Sequence, residues 1–129
     1  MIEKQTGFSL IEVLIGLIIL AVGLLAIAGL QVTSIRGNTF SNNLMQATYV
    51  AQDRIESLMN LPLSSAQLQA GNYNPGPITI STPERSYSSV VFNPSYTVVV
   101  NDNLRTINYT VTWNDGVNHS VTFSTIRSQ

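Results

Sequence analysis

Residues 8–36 read FSLIEVLIGLIILAVGLLAIAGLQVTSIR, and this stretch decides the architecture of the chain. Within it, residues 13–30 contain neither a charge nor a strongly hydrogen-bonding side chain. A helix that spans a bilayer needs about 20 mainly apolar residues, and residues 8–30 reach that length with Ser9 and Glu12 as their only polar members. The sequence therefore predicts one transmembrane helix near the N-terminus.

Glu12 is the unusual residue of this run. An acidic side chain at the centre of a membrane helix costs roughly 2.5–3.5 kcal/mol on insertion scales, and less near the interface. Either the carboxylate lies at headgroup depth and faces water, or it pairs with a positive group on another subunit. The residues around Glu12 favour the second interpretation.

Residues 7–12, GFSLIE, follow a short polar leader that contains Lys4, and they precede the apolar run. This segment resembles the class III signal of type IV pilins and pseudopilins. That signal has a small residue at the cut, a hydrophobic residue next and a glutamate further on, here Gly7, Phe8 and Glu12. The resemblance implies that a prepilin peptidase cleaves between Gly7 and Phe8 on the cytoplasmic side of the membrane and N-methylates Phe8.

Cleavage there would remove Glu3 and Lys4 and expose an α-amine about one helical turn from the Glu12 carboxylate. A neighbouring helix that is shifted along its axis can match its own amine to this carboxylate. Leaving either charge unpaired in apolar surroundings is strongly unfavourable, so the pair would fix the register between subunits. Glu12 is therefore the predicted charge-pairing residue for assembly.

An ordinary secretory signal is the competing interpretation of the N-terminus. Residues 26–28, AIA, form a small-x-small triplet of the kind that signal peptidase cleaves after, which would release a soluble product beginning at Gly29. The apolar run is longer than the roughly 7–15 residues of a secretory core, and it carries Glu12 near its start. These features favour the prepilin interpretation.

Beyond the span, apolar residues recur in steps of four and three, which is the spacing of one helix face. The stripe consists of Phe40, Leu44, Ala47, Ala51, Ile55 and Leu58. The opposite positions are polar and comprise Asn42, Asn43, Gln46, Gln52, Asp53 and Glu56. Because Pro62 ends the pattern, the sequence predicts one nearly continuous helix over residues 8–59.

The C-terminal part of the chain has the signature of a sheet. Turn-forming residues at 71–77 predict a loop, with one short strand near Ile78–Ile80. Alternating apolar residues then predict strands at 90–92, 96–100, 107–113 and 117–123. Turns at 101–103 and 114–116 connect them, the second being a strong hairpin signal. The sequence thus predicts an antiparallel sheet of three to four strands whose odd-numbered apolar face lies on the helix stripe.

The order of leader, long helix, irregular loop and antiparallel sheet is similar to that of the α+β pilin fold along the whole chain. Residues 14–31 and 47–56 look most like minor pilins of the PilV type. The resemblance implies a leader peptide at 1–7, a transmembrane N-terminal helix at 8–36 and a periplasmic or extracellular pilin-like domain at 37–129. Many pilins close their C-terminal region with a disulfide, which this cysteine-free chain cannot form.

Composition argues against other classes of protein. Six Lys and Arg residues nearly balance seven Asp and Glu residues and are scattered, so the chain lacks the charge pattern of a nucleic-acid-binding protein. His119 is the only histidine and no cysteine accompanies it, so it is interpreted as structural. Trp113, Tyr109 and Phe123 share a parity and are predicted to form sheet core. The sequence predicts no catalytic residue, no metal and no cofactor, and therefore a structural subunit and not an enzyme.

The resemblance implies a minor pilin that helps to initiate or assemble a type IV pilus. Its expected partners are prepilin peptidase, the major pilin, other minor pilins, the pilus assembly platform and the inner membrane. The chain would reside in the bacterial inner membrane with a cytoplasmic N-terminus before assembly and on the pilus afterwards. Two alternatives stay open: a minor pseudopilin of a type II secretion system, and an adhesin or binding module that the helix only anchors.

Overall fold

The computed structural model describes residues 7–80 and 89–128. One long helix, α1 (Leu10–Met59), precedes a short 3₁₀ turn at Ala66–Leu68. Five strands follow: β1 (Gly71–Tyr73), β2 (Ile78–Ile80), β3 (Val90–Asn101), β4 (Leu104–Asn114) and β5 (Asn118–Ser128). This order confirms the predicted α+β fold, with a long N-terminal helix and a C-terminal antiparallel sheet. The chain divides after Thr39 into two compact units.

The first unit contains the apolar half of α1. The helix begins at Leu10, two residues later than predicted, and the carbonyl oxygen of Ser9 accepts bonds from the amides of Glu12 and Val13 at 3.0 and 3.3 Å. Every side chain from Gly7 to Gln31 is exposed. A helix with this composition is long and apolar enough to cross a membrane.

The second unit is built on a sheet with more strands than predicted. Its strands pair in the order β1, β3, β4, β5, and β2 also pairs with β3, all antiparallel. The prediction of three to four strands was too low because β1 lies in the segment predicted as loop. The two runs predicted at 90–92 and 96–100 form the single strand β3, which continues through Pro94. Pro94 lies between the stretches that pair with β2 and with β1, where β3 is an edge.

The lengths of the two turns decide which residues of each strand face the helix. A two-residue turn joins β3 to β4, so an even-numbered residue such as Val98 lies opposite the odd-numbered Ile107. A three-residue turn joins β4 to β5, so Tyr109 lies opposite Phe123. Side chains opposite each other lie on the same face of a sheet. The inward face is therefore odd-numbered in β4 and β5, as predicted, but even-numbered in β3.

The core lies between this inward face and the second half of α1. The sheet contributes the buried side chains Val90, Phe92, Tyr96, Val98, Ile107, Tyr109, Val111 and Trp113. The helix contributes Asn43, Ala47, Ala51 and Leu58. Three members of the predicted stripe are thus buried, whereas Phe40 remains 39% exposed. Asn43 was predicted on the polar face, and its complete burial corrects that prediction.

Arg127 and Gly116 fix the backbone at the two ends of the core. Arg127 on β5 donates from Nη1 to the carbonyl oxygens of Leu61 and Leu58, at 2.7 and 3.3 Å, and so satisfies backbone acceptors at the C-terminal end of α1. Gly116, with a φ of 108°, makes the sharp turn between β4 and β5. Val117, predicted as the first residue of the last strand, lies in this turn and is exposed, because the strand begins at Asn118.

Candidate membrane anchor and assembly site

The predicted cleavage bond lies immediately before α1. Gly7, Phe8 and Ser9 precede the helix, and the side chain of Phe8 is 85% exposed. A peptide bond in an exposed segment outside regular structure can adopt the extended conformation that a protease active site needs. The rest of the predicted leader, residues 1–6 with Lys4, lies outside the described residues.

Glu12 lies in the first turn of α1 with its side chain exposed. The N-terminal end of a helix carries the positive end of its dipole and unpaired amides, and both favour a carboxylate at this position. Glu12 is thus the acidic group nearest to the amine that cleavage before Phe8 would create. The amine and the carboxylate would carry opposite charges at the same end of one helix.

The surface that follows Glu12 is apolar all round. The exposed side chains include Val13, Leu14, Leu17, Ile18, Leu24 and Leu25. A soluble monomer rarely exposes an apolar surface of this extent, and a helix that is hydrophobic on all sides is covered by lipid or by other protein. The N-terminal half of α1 is therefore long and apolar enough to anchor the chain in a membrane.

The structure also shows a polar cluster that the sequence did not predict. Asn43 on α1 donates from Nδ2 to Asp115 Oδ2 at 2.9 Å, and His119 Nε2 lies 2.9 Å from Asp115 Oδ1. The imidazole of His119 stacks on Trp113 and contacts the ring of Phe40, with centroid distances of 5.3 and 4.9 Å. Asp115, interpreted from sequence as an ordinary turn residue, thus links the helix to the turn between β4 and β5.

The electrostatics of this cluster favour the ionised form of Asp115. Partial burial alone would raise the pKa of Asp115, but the hydrogen bonds from Asn43 and His119 outweigh it and hold that pKa below its ordinary value. The carboxylate is therefore charged at neutral pH and accepts both bonds. His119 has a structural setting, as predicted, on the inward face of an edge strand.

The predicted core aromatics lie where the sequence placed them, with one difference in depth. Tyr109 and Trp113 are buried, and Phe123 is half-buried because β5 is the last strand of the sheet. A cavity of about 170 Å³ lies beside Tyr109 and is lined mainly by apolar surface. Within residues 7–80 and 89–128, no three His, Asp or Glu side chains come together in a way that could hold a metal ion.

Comparison with known proteins identifies the N-terminal segment. Residues 3–28 match the family model described as the prokaryotic N-terminal methylation motif, the leader of class III prepilins. The comparisons with curated proteins and with solved structures found no match. The matched segment contains Gly7, Phe8, Glu12 and the apolar run up to Ala28, and it ends before the sheet-packed half of α1. A motif of this type indicates a pilin-like structural protein and not an enzyme, and in this chain it covers the first part of an exposed apolar helix.

Proposed function

We propose that this chain is a minor pilin of a type IV pilus, of the PilV type, that takes part in pilus initiation and assembly. The observation that carries the proposal is the methylation motif at residues 3–28, joined to an apolar helix whose side chains are uncovered. Under this proposal residues 1–7 are a leader, residues 8–36 a transmembrane helix with a cytoplasmic N-terminus, and residues 37–129 a domain outside the cytoplasm.

The physical basis of assembly is the apolar anchor. Helix residues that are apolar all round can leave lipid only for another apolar environment, because water would solvate them at a cost of about 25 cal/mol per Å² of surface. The core of a filament made from such helices provides that environment. Within it, Glu12 would pair with the N-terminal amine of a neighbouring subunit and so set the axial position of each incoming chain.

Processing is tested by determining the N-terminus of the mature protein. We expect mass spectrometry of chain isolated from membranes of the producing cells to show an N-methylated Phe8 as the first residue. Replacing Gly7 with valine should leave an uncut precursor, because the resembled signal requires a small residue there. Replacing Ala28 with leucine, which spoils the secretory triplet, should change nothing. A mature chain that begins at Gly29 would instead show that the secretory interpretation is right.

The role in the filament is tested by deleting the protein. We expect fewer surface pili, while synthesis of the major pilin continues, because a minor subunit needed for initiation limits the number of filaments and not the supply of subunits. Electron microscopy counts the pili, and immunoblots of whole cells measure the major pilin. Normal piliation contradicts the proposal, and if secretion of exported proteins fails at the same time, the chain serves a type II secretion system as a pseudopilin.

A further inference from the structure

The two edges of the sheet differ. Along β3, the outer edge is occupied twice, by β2 opposite residues 90–92 and by β1 opposite residues 96–98. On the other side of the sheet, β5 pairs with β4 alone among residues 7–80 and 89–128. An edge strand presents a row of backbone N–H and C=O groups that can pair with another extended chain.

β5 carries few of the features that commonly protect an edge strand. Its eleven residues, Asn118–Ser128, include no proline, lysine or glycine. Its arginine, Arg127, faces inward and bonds to carbonyl oxygens at the end of α1. Natural proteins discourage unwanted pairing with short edges, prolines, bulges, lysines or inward-pointing charges, and of these β5 has the inward Arg127 near its end. Residues 118–126 therefore leave a regular edge about 30 Å long, at roughly 3.3 Å per residue, available for pairing.

The side chains of β5 indicate the kind of strand that would fit. On the inward face, Val121 and Phe123 are only half-buried, whereas their partners on β4, Val111 and Tyr109, are completely buried. A side chain on the inward face is covered by side chains of the strands on either side of its own strand. One further strand beside β5 would therefore complete the burial of Val121 and Phe123. The outward face carries no charge; it presents hydroxyl and amide groups from Asn118, Ser120, Thr122 and Ser124 and one exposed apolar side chain, Ile126.

We propose that the free edge of β5 binds an extended segment of a different polypeptide and adds it to the sheet as a sixth strand. The segment is uncharged and alternates apolar with small polar residues, since that pattern matches both faces of β5. Two copies of this chain joined edge to edge would form a closed, two-fold pair, whereas a filament grows by head-to-tail contacts. The conclusion that the bound segment belongs to a different polypeptide therefore rests on the proposed function. The conclusion that the edge of β5 can pair with a strand does not rest on it.

A matched pair of variants separates the edge from the rest of the outward face. Thr122 and Ser124 on β5 lie opposite Thr110 and Asn108 on β4, and the hydroxyls of Thr110 and Thr122 bond to each other at 2.8 Å. The edge variant T122K/S124K places two lysines on β5. The control variant T110K/N108K adds the same charge to the same face and removes the same hydroxyl bond, but on the central strand.

The probe is a fluorescently labelled synthetic peptide of residues 106–114, TINYTVTWN, the uncharged natural neighbour of β5. Fluorescence anisotropy measures its binding to the full chain in detergent micelles. We expect saturable binding that the edge variant weakens by about tenfold or more, while the control variant stays within about twofold of the wild type. The same peptide with alternate backbone nitrogens methylated should not bind, because it keeps the side chains but lacks the donors.

Three outcomes would overturn the inference. Absence of saturable binding shows that the edge is closed to strands, and equal weakening by both variants shows that the outward face, and not the edge, binds the peptide. Self-association of the full chain that T122K/S124K abolishes shows that the occupant is a second copy. None of these results affects the proposed function, which is tested independently by the mature N-terminus and by piliation.

Discussion

Replacing Glu12 with glutamine is expected to keep the processed chain in the membrane and out of filaments. After cleavage, the α-amine of a neighbouring subunit is a base, and a carboxylate that faces it favours its positively charged form. Glutamine is uncharged, so it cannot neutralise this amine where the helices pack against one another in apolar surroundings. Removing one partner of a buried ion pair costs about 3–5 kcal/mol, which corresponds to a loss of incorporation of at least about a hundredfold.

The measurement compares the amount of chain in sheared surface filaments with the amount in the inner membrane, both by immunoblot. Cleavage of the variant should proceed, because Gly7 and Phe8 on the two sides of the cleaved bond are intact, and mass spectrometry of the mature N-terminus checks this. Glu56 provides the control: it is an exposed acid in the second half of the same helix, and Glu56→Gln should leave incorporation unchanged. Incorporation of Glu12→Gln at wild-type levels would refute the charge-pairing role.

The main elements of the fold could be predicted from the sequence because their signals are local. The apolar run and the stripe that includes Ala47, Ala51 and Leu58 each follow from helical spacing, and both halves of α1 are present. Alternation likewise predicted the central part of β4 and the first half of β5, whereas residues 124–128 of β5 were not predicted as strand. Errors concentrated at β1 and β3, where glycine and proline suggest a loop. Backbone pairing with a neighbouring strand decides the structure there, and that pairing is not visible in a local pattern.

The cluster around Asp115 could not be predicted for a different reason. Asn43 and Asp115 are 72 residues apart in the chain and meet only when the β4–β5 turn reaches α1. A helical wheel assigns any asparagine to the polar side, because it counts amides as surface residues. The one local hint is spacing: Asn43 lies four residues before Ala47, in line with the buried stripe. A buried amide requires a hydrogen-bond partner, so the position of Asn43 in line with the stripe implies an acceptor elsewhere in the chain. The sequence does not indicate which residue provides it.

Under the proposed function, assembly and domain stability would depend on separate parts of the chain. Glu12 and the apolar anchor lie in the unit that ends at Thr39, whereas Asn43, Asp115 and His119 lie in the unit that begins at Phe40. A change in one unit should therefore leave the property of the other intact. Variants of Asn43 are expected to lower the unfolding free energy of the second unit and to leave cleavage before Phe8 unaffected.

Replacing Asn43 with leucine should destabilise the second unit by about 2–3 kcal/mol, because the carboxylate of Asp115 loses a buried donor, while the side chain keeps the same number and branching of heavy atoms. For a unit of this size the melting temperature should fall by about 10 °C or more. Thermal unfolding of the full chain in detergent, followed by circular dichroism, measures the change. Asn42→Leu is the control, since Asn42 only accepts a bond from Gln46 within the helix, at 3.2 Å.

The free energy of unfolding of Asn43→Leu should change less on acidification than that of the wild type. Since the pKa of Asp115 is lowered in the folded state, the unfolded chain binds the proton more tightly, so the wild-type stabilisation is complete above about pH 4. This stabilisation is lost as the pH falls through the pKa that Asp115 has in the folded state. Without the Asn43 donor the folded pKa rises towards the unfolded value, and the difference in stability between wild type and Asn43→Leu should narrow below about pH 4. A difference that stays constant from neutral pH down to about pH 2.5 would show that Asn43 stabilises the unit by packing and not through the charge on Asp115.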